Sequence, residues 1–157
     1  MQLMHDNAPP HVAQVVTQYL RDVGIQFIAP VNLPSFMDID QDFAGVNAIA
    51  SGFGLTQDGG NVSGILKHVE LNVITNDACL SAFPGILQPS NLCTSGAGTV
   101  GACIGDSGGP LVTQGNHGNI LIGVVSFGSG LGCEANLPSV FVRVTSFLDF
   151  IYLHFFW

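Results

Sequence analysis

The sequence predicts an all-β fold, a single closed antiparallel barrel, from three observations. Hydrophobic residues fill 47% of the 157 positions, charged residues only 9%, and glycine occupies 20, a composition of turn-rich β structure and not of a disordered chain. Short apolar runs with strand character recur at residues 46–54, 66–74, 111–113, 120–127 and 140–144, with glycines and prolines between them. The length suits one domain with its own core and is short for two.

Taken in order, residues 1–24 differ from the rest. Pro9-Pro10 can open a helix, Val12, Val15, Val16, Tyr19, Leu20 and Val23 fall at helical spacing, and Gly24 ends it. From Ile25 to Pro34 the pattern is extended. The stretch Asp38-Ile39-Asp40-Gln41-Asp42 reads as a solvated loop, since it lacks the ligand spacing of a calcium loop. A strand then runs into Gly52-Phe53-Gly54. Residues 56–63 form a polar, glycine-rich loop containing Asn61-Val62-Ser63, a glycosylation acceptor in any chain that is secreted. In 66–74, Val69, Leu71 and Val73 are out of phase with Leu66, His68, Glu70 and Asn72, so one face is apolar. His68 lies on that strand and takes no catalytic role. Residues 73–79 enter a short helix. Thr145 or Ser146 caps a last one, Ser146-Phe147-Leu148-Asp149 giving a capping box with Asp in place of Glu. Its continuation to Trp157 is more apolar than a surface helix should be, so the tail packs on something or self-associates.

Charge narrows the function classes. The net charge is −8, with Lys67, Arg21 and Arg143 the only Lys or Arg, so phosphate backbones are repelled and nucleic-acid binding by charge is excluded. Residues 147–157 are too few to span a membrane and are interrupted by Asp149 and His154. Met1-Gln2-Leu3-Met4-His5-Asp6 has neither a basic nor an apolar leader pattern, so no signal peptide is expected in these residues. His5, Asp6 and His11 are better read as a capped turn before a helix than as a metal site, because Pro9-Pro10 stiffens the segment that would gather the ligands. No metal or cofactor is expected.

The segment that carries chemistry is Gly105-Asp106-Ser107-Gly108-Gly109-Pro110. A serine between glycines can sit in a tight turn whose N–H groups converge on one point, and convergent donors stabilise a developing oxyanion. With Cys103 two residues before it and Leu111-Val112 continuing as a strand, the segment resembles the active-site serine of the chymotrypsin-like serine proteases. The resemblance covers about residues 25–157 and implies the second barrel of the trypsin-like double-barrel fold with a C-terminal helix, here preceded by an extra N-terminal helix. Residues 25–34 look like the linker between the two barrels, and Phe53 stands where the family usually has Trp. By the resemblance Ser107 is the nucleophile, the N–H groups of Gly105 and Ser107 form the oxyanion hole, and Asp106 buries its carboxylate beneath them. Gly101 lies at the base of the specificity pocket, Ser126-Phe127-Gly128 forms one wall and Ser139 the other. With no acid at Gly101 or Ser139, an apolar or aromatic side chain is the preferred guest.

Four cysteines allow three pairings from sequence alone. The resemblance implies Cys79–Cys93 and Cys103–Cys133, which require an oxidising compartment, and an extracellular setting is the family's.

The resemblance also shows what is missing. A serine hydroxyl needs a base oriented by a carboxylate, and in this family both precede the serine, on the first barrel. No Ala-Ala-His-Cys or Asp-Ile-Ala-Leu motif occurs here, and His5, His11, His68, His117 and His154 stand in the wrong contexts. The family's Ile-Val-Gly-Gly start, whose ammonium pairs with the acid before the serine, is also unmatched. Asp106 must therefore stay solvated or find another partner, and the oxyanion hole is expected to be unformed.

Residues 4–13, with Tyr19-Leu20 and Gly24-Ile25, resemble another family, the mariner-like transposases, in which Asp6 would match a metal-binding carboxylate. The domain reading is thus a transposase-like segment at 1–24 and a partial trypsin-like domain, first barrel missing, at 25–157. The expected function is a serine-type endopeptidase by family, acting on peptide or protein substrates, truncated and weak or inactive alone. A non-catalytic homologue that binds peptides is the alternative, and a transposase remnant the third reading.

Overall fold

The structure is a computed structural model that describes residues 30–116 and 118–155, without the side chain of Phe155. The expected helix within 1–24, the cluster His5, Asp6 and His11, the start of the 25–34 segment and His117 lie outside the described residues.

Six strands close into one barrel: β1 (Asn47–Gly52), β2 (Lys67–Ile74), β3 (Asn91–Thr94), β4 (Pro110–Gly115), β5 (Gly118–Phe127) and β6 (Ser139–Arg143). Their order around the barrel is β1-β2-β3-β6-β5-β4, every neighbouring pair is antiparallel, and Ile49↔Val112 with Ala50↔Leu111 closes the ring. Side-chain alternation explains which face is inside. In β1, Ala48 and Ala50 are buried and Ile49 is turned out; in β2, Leu71 and Val73 are buried while His68, Glu70 and Asn72 are exposed. Leu92, Leu111, Ile122 and Phe141 complete the core with no measurable exposure, each worth about 1.5–3 kcal/mol of burial. Strand β3, which the sequence pattern did not reveal, is buried along its whole length between β2 and β6.

A smaller core sits outside the barrel. The short helix α1 (Asn76–Leu80) is capped by Thr75, whose Oγ1 accepts from the Ala78 N–H at 3.2 Å, in agreement with the expected helix. It carries Cys79, which is joined to Cys93 of β3, and packs with Phe83, Val140 and Phe127.

One expected loop is present and one expected cap is not. The acidic stretch is an exposed loop, as expected, entered through a 3₁₀ turn at Phe36–Asp38 in which the Asp38 carboxylate accepts from the Ser35 N–H at 2.8 Å and from its hydroxyl at 2.7 Å. At the other end a 3₁₀ turn, Val144–Phe147, precedes helix α2 (Leu148–Phe155), so Thr145 and Ser146 lie inside the turn and cap nothing. Burial of Val144 and Leu148 starts the turn early and takes Thr145 into the interior, where its hydroxyl has no partner among the described residues. Arg143 leads into this turn. Its guanidinium donates to the carbonyls of Asn91 at 2.9 Å and Gln41 at 3.1 Å, and burial lowers its pKa, partly offset by Asp42.

Candidate active site

The serine segment is a turn hung between β1 and β5. The Gly108 N–H donates to the Val125 carbonyl at 3.0 Å, the Val125 N–H to that of Gly109 at 2.8 Å, and the Gly109 N–H to that of Asp106 at 2.8 Å. Gly105 adopts φ +97°, a conformation L side chains rarely take, which explains glycine there. Its effect is to leave Ser107 exposed on the surface of the turn.

The Asp106 carboxylate has found another partner, two in fact. Oδ1 accepts from the Gly54 N–H at 2.7 Å and Oδ2 from the Cys103 N–H at 3.0 Å. These charge-assisted bonds close the serine turn on itself and tie it to the loop after β1, 52 residues away in sequence. The contact is close enough to require glycine: a Cβ on Gly54 would lie 2.5 Å from Asp106 Cγ. Among the described residues, neither the Gly105 N–H nor the Ser107 N–H meets a protein acceptor. Both flank the held Asp106, so the turn offers two unspent donors beside the Ser107 hydroxyl. Of the two expected outcomes for Asp106, staying solvated or finding another partner, the structure shows the second.

A cavity of about 290 Å³ opens beside Ser107, bordered by Ser126, Phe127, Gly128 and Ser139 among others. Ser139 is buried and its Oγ accepts from the Ala102 N–H at 3.1 Å. Gly101 borders an adjoining cavity instead, with its Cα against the Ser139 hydroxyl, where a Cβ would come to 2.6 Å. The mouth is held by three ties. Cys103–Cys133 is a disulfide. The Asp58 carboxylate accepts from the Cys133 N–H at 2.8 Å while the Asp58 N–H donates to Glu134 at 2.7 Å, and Asn136 Oδ1 takes the N–H groups of Gly98 and Thr99 at 3.0 Å each. Sequence reasoning missed the last two, which join residues with no local pattern between them.

The adjoining cavity, about 330 Å³, lies behind the turn and is bordered by Asp106, Gly52, Gly54, Val69 and His68. His68 is exposed on β2, and His154 Nδ1 lies 2.7 Å from the Phe150 carbonyl on α2. Among the described residues no side chain hydrogen-bonds the Ser107 hydroxyl. The site as described holds a hydroxyl, two donors and a pocket, but not a base.

A closed six-stranded barrel that presents such a serine turn beside a side-chain pocket defines the second barrel of a chymotrypsin-like serine hydrolase. The comparisons carry this further. The family model described as Trypsin matches residues 21–151. The chain is 45% identical over 121 residues to Serine protease 1 of Drosophila melanogaster, covering 77% of this chain and 44% of that protein. It is 41% identical over 143 residues to Collagenase of Hypoderma lineatum, covering 85% of this chain and 53% of the relative. The solved structure of HL collagenase superposes with a TM-score of 0.71 at 39% identity, over 80% of this chain and 53% of that one. The chain belongs to the trypsin family of serine proteases. It spans about half the length of the curated relatives it matches.

Proposed function

We propose that this barrel is the nucleophile-bearing half of a serine endopeptidase. The observation that carries the proposal is the Gly105–Ser107 turn, an exposed hydroxyl between two unspent N–H donors at the mouth of a 290 Å³ pocket. A side chain of the substrate enters the pocket and brings its carbonyl carbon against Ser107 Oγ. As the C–O bond forms, the carbonyl oxygen takes on negative charge and the N–H groups of Gly105 and Ser107 receive it. The hydroxyl proton passes to a base and on to the departing amine, leaving an acyl-serine that water then hydrolyses.

The base and its orienting carboxylate come from outside the described barrel. Positioned general bases contribute roughly 10²–10⁴ in rate, so the chain by itself is weak or inactive. The pocket, with no acidic side chain in its lining, favours an apolar or aromatic guest. Two disulfides support an oxidising, extracellular setting. The domain reading takes residues 25–157 as the protease part, and the family match over residues 21–151 supports it.

One observation favours a second reading, a peptide-binding homologue without catalysis: the missing partner for the Ser107 hydroxyl. Hydrolysis of an aromatic peptide ester separates the two. A slow rate that falls further in Ser107→Ala supports the protease reading; peptide retained in the pocket with no serine-dependent turnover supports the binding module.

A further inference from the structure

We propose that Asn61 is an N-glycosylation site whose glycan stands beside the serine turn. Of the asparagines in the chain, Asn61 alone is followed at the second position by serine or threonine, and Val62, not proline, lies between. The structure gives this motif a suitable place. Leu55 and Val62 bridge antiparallel, and the Gly60 N–H donates to the Gln57 carbonyl at 3.2 Å, so residues 55–62 form a hairpin-like loop. Asn61 follows its turn, is exposed, and has no hydrogen bond among the described residues. A substituent on its Nδ2 therefore removes no contact of the fold.

Asn91, in Asn91-Leu92-Cys93, shows the opposite case. It is 8% exposed, its Oδ1 accepts from the Gln88 N–H at 2.7 Å, and Cys93 is in a disulfide. A glycan there would be incompatible with the fold.

Position gives the modification its consequence. Val62 Cγ1 lies 3.2 Å from the point a Cβ on Gly105 would occupy, and the Leu55 N–H donates to the Ile104 carbonyl at 2.8 Å, so the hairpin leans on the serine turn. Neighbouring side chains of extended backbone point to opposite sides. With Val62 toward Gly105, Asn61 faces solvent at the rim, where a glycan screens the hairpin and the approach of bulky chains. The two disulfides supply an independent observation, since the compartment that oxidises them is the one that glycosylates.

In the transfer, Asn61 Nδ2 bonds to C1 of the first sugar of a lipid-pyrophosphate oligosaccharide. The C1–O bond to phosphate breaks, the lipid pyrophosphate leaves with the electron pair, and the amide proton goes to a base of the transferase. Transfer comes before this segment folds, because the folded Ser63 hydroxyl is already bonded to the Ile65 carbonyl at 2.7 Å.

The test is translation of the 157-residue chain behind a cleavable leader with microsomes, together with secretion from insect cells. A glycosidase-sensitive mass increase is expected, lost in Asn61→Gln and Ser63→Ala and kept in Ser63→Thr. The microsome arm reads transfer without requiring a folded product. A translocated chain, protected from added protease by the membrane yet showing no increase, overturns the site. On the secreted protein, subtilisin should cut residues 55–63 more slowly before deglycosylation than after, with Asn61→Gln behaving as the deglycosylated form. Equal cutting of all three overturns the placement of the glycan over the hairpin.

Discussion

Replacing Asp106 by alanine should unfold the protein far more easily than an exposed loop substitution does. The side chain accepts two backbone hydrogen bonds, from Gly54 at 2.7 Å and Cys103 at 3.0 Å, and holds the serine turn to the end of β1. A hydrogen bond to a charged group contributes about 1.5–3 kcal/mol, and both donors lose their acceptor together, so the expected cost is about 3–5 kcal/mol. At roughly 2–4 °C per kcal/mol for a domain of this size, Tm falls by roughly 6–20 °C. Gly54→Ala attacks the same contact from the other side, since its Cβ would lie 2.5 Å from Asp106 Cγ and force the carboxylate away. The two changes break one interaction, so the double variant should cost little more than the worse single one. Urea denaturation followed by circular dichroism, with disulfides intact, measures all three. An Asp106→Ala cost below about 0.5 kcal/mol, or full additivity in the double variant, would refute the role given to this carboxylate.

Three other outcomes follow from the same geometry. Cys103→Ser with Cys133→Ser opens a loop of 30 residues and should cost roughly 3–4 kcal/mol by loop-closure entropy, while peptide mapping of the parent should find no Cys93–Cys103 link. Arg143→Met strands the carbonyls of Asn91 and Gln41 and should cost about 2–3 kcal/mol in urea unfolding, with Arg143→Lys recovering only part because a lysine cannot reproduce the fork. Exposed Phe147, Phe150 and Leu153 on the last turn and α2, beside the stacked pair Phe36–Tyr152, should drive concentration-dependent association at tens of micromolar; sedimentation should show it weakened in Phe150→Ser with Leu153→Ser.

The barrel was legible where strands alternate, as in β2, because one face meets the core and the other meets water. It was not legible at β3, where Asn91, Leu92, Cys93 and Thr94 are all buried and no alternation exists to read. The short helix α1 lies where residues 73–79 were read as entering a helix; at the C-terminus a 3₁₀ turn begins at Val144, before the expected cap, and the α-helix only at Leu148, because burial of Val144 and Leu148 overrides the local capping pattern at Ser146. In the site, the serine turn and the cysteine pairs came through a specific motif. The partners of Asp106, the Asp58–Glu134 exchange and the position of Gly101 depend on loops meeting across the chain. Such contacts leave no periodic or short-range signal.

On the function proposed above, Ser107 is a nucleophile in a formed site that lacks its own base. The rate of Ser107 labelling by a fluorophosphonate, with and without added imidazole, tests it most directly. Slow labelling of the parent chain is expected, with an increase of roughly 10-fold or more with imidazole as a free base, and none in Ser107→Ala. Labelling equally fast without imidazole would place a base within the chain, His68 first to be mutated. Labelling that persists in Ser107→Ala would contradict the assignment of the nucleophile itself.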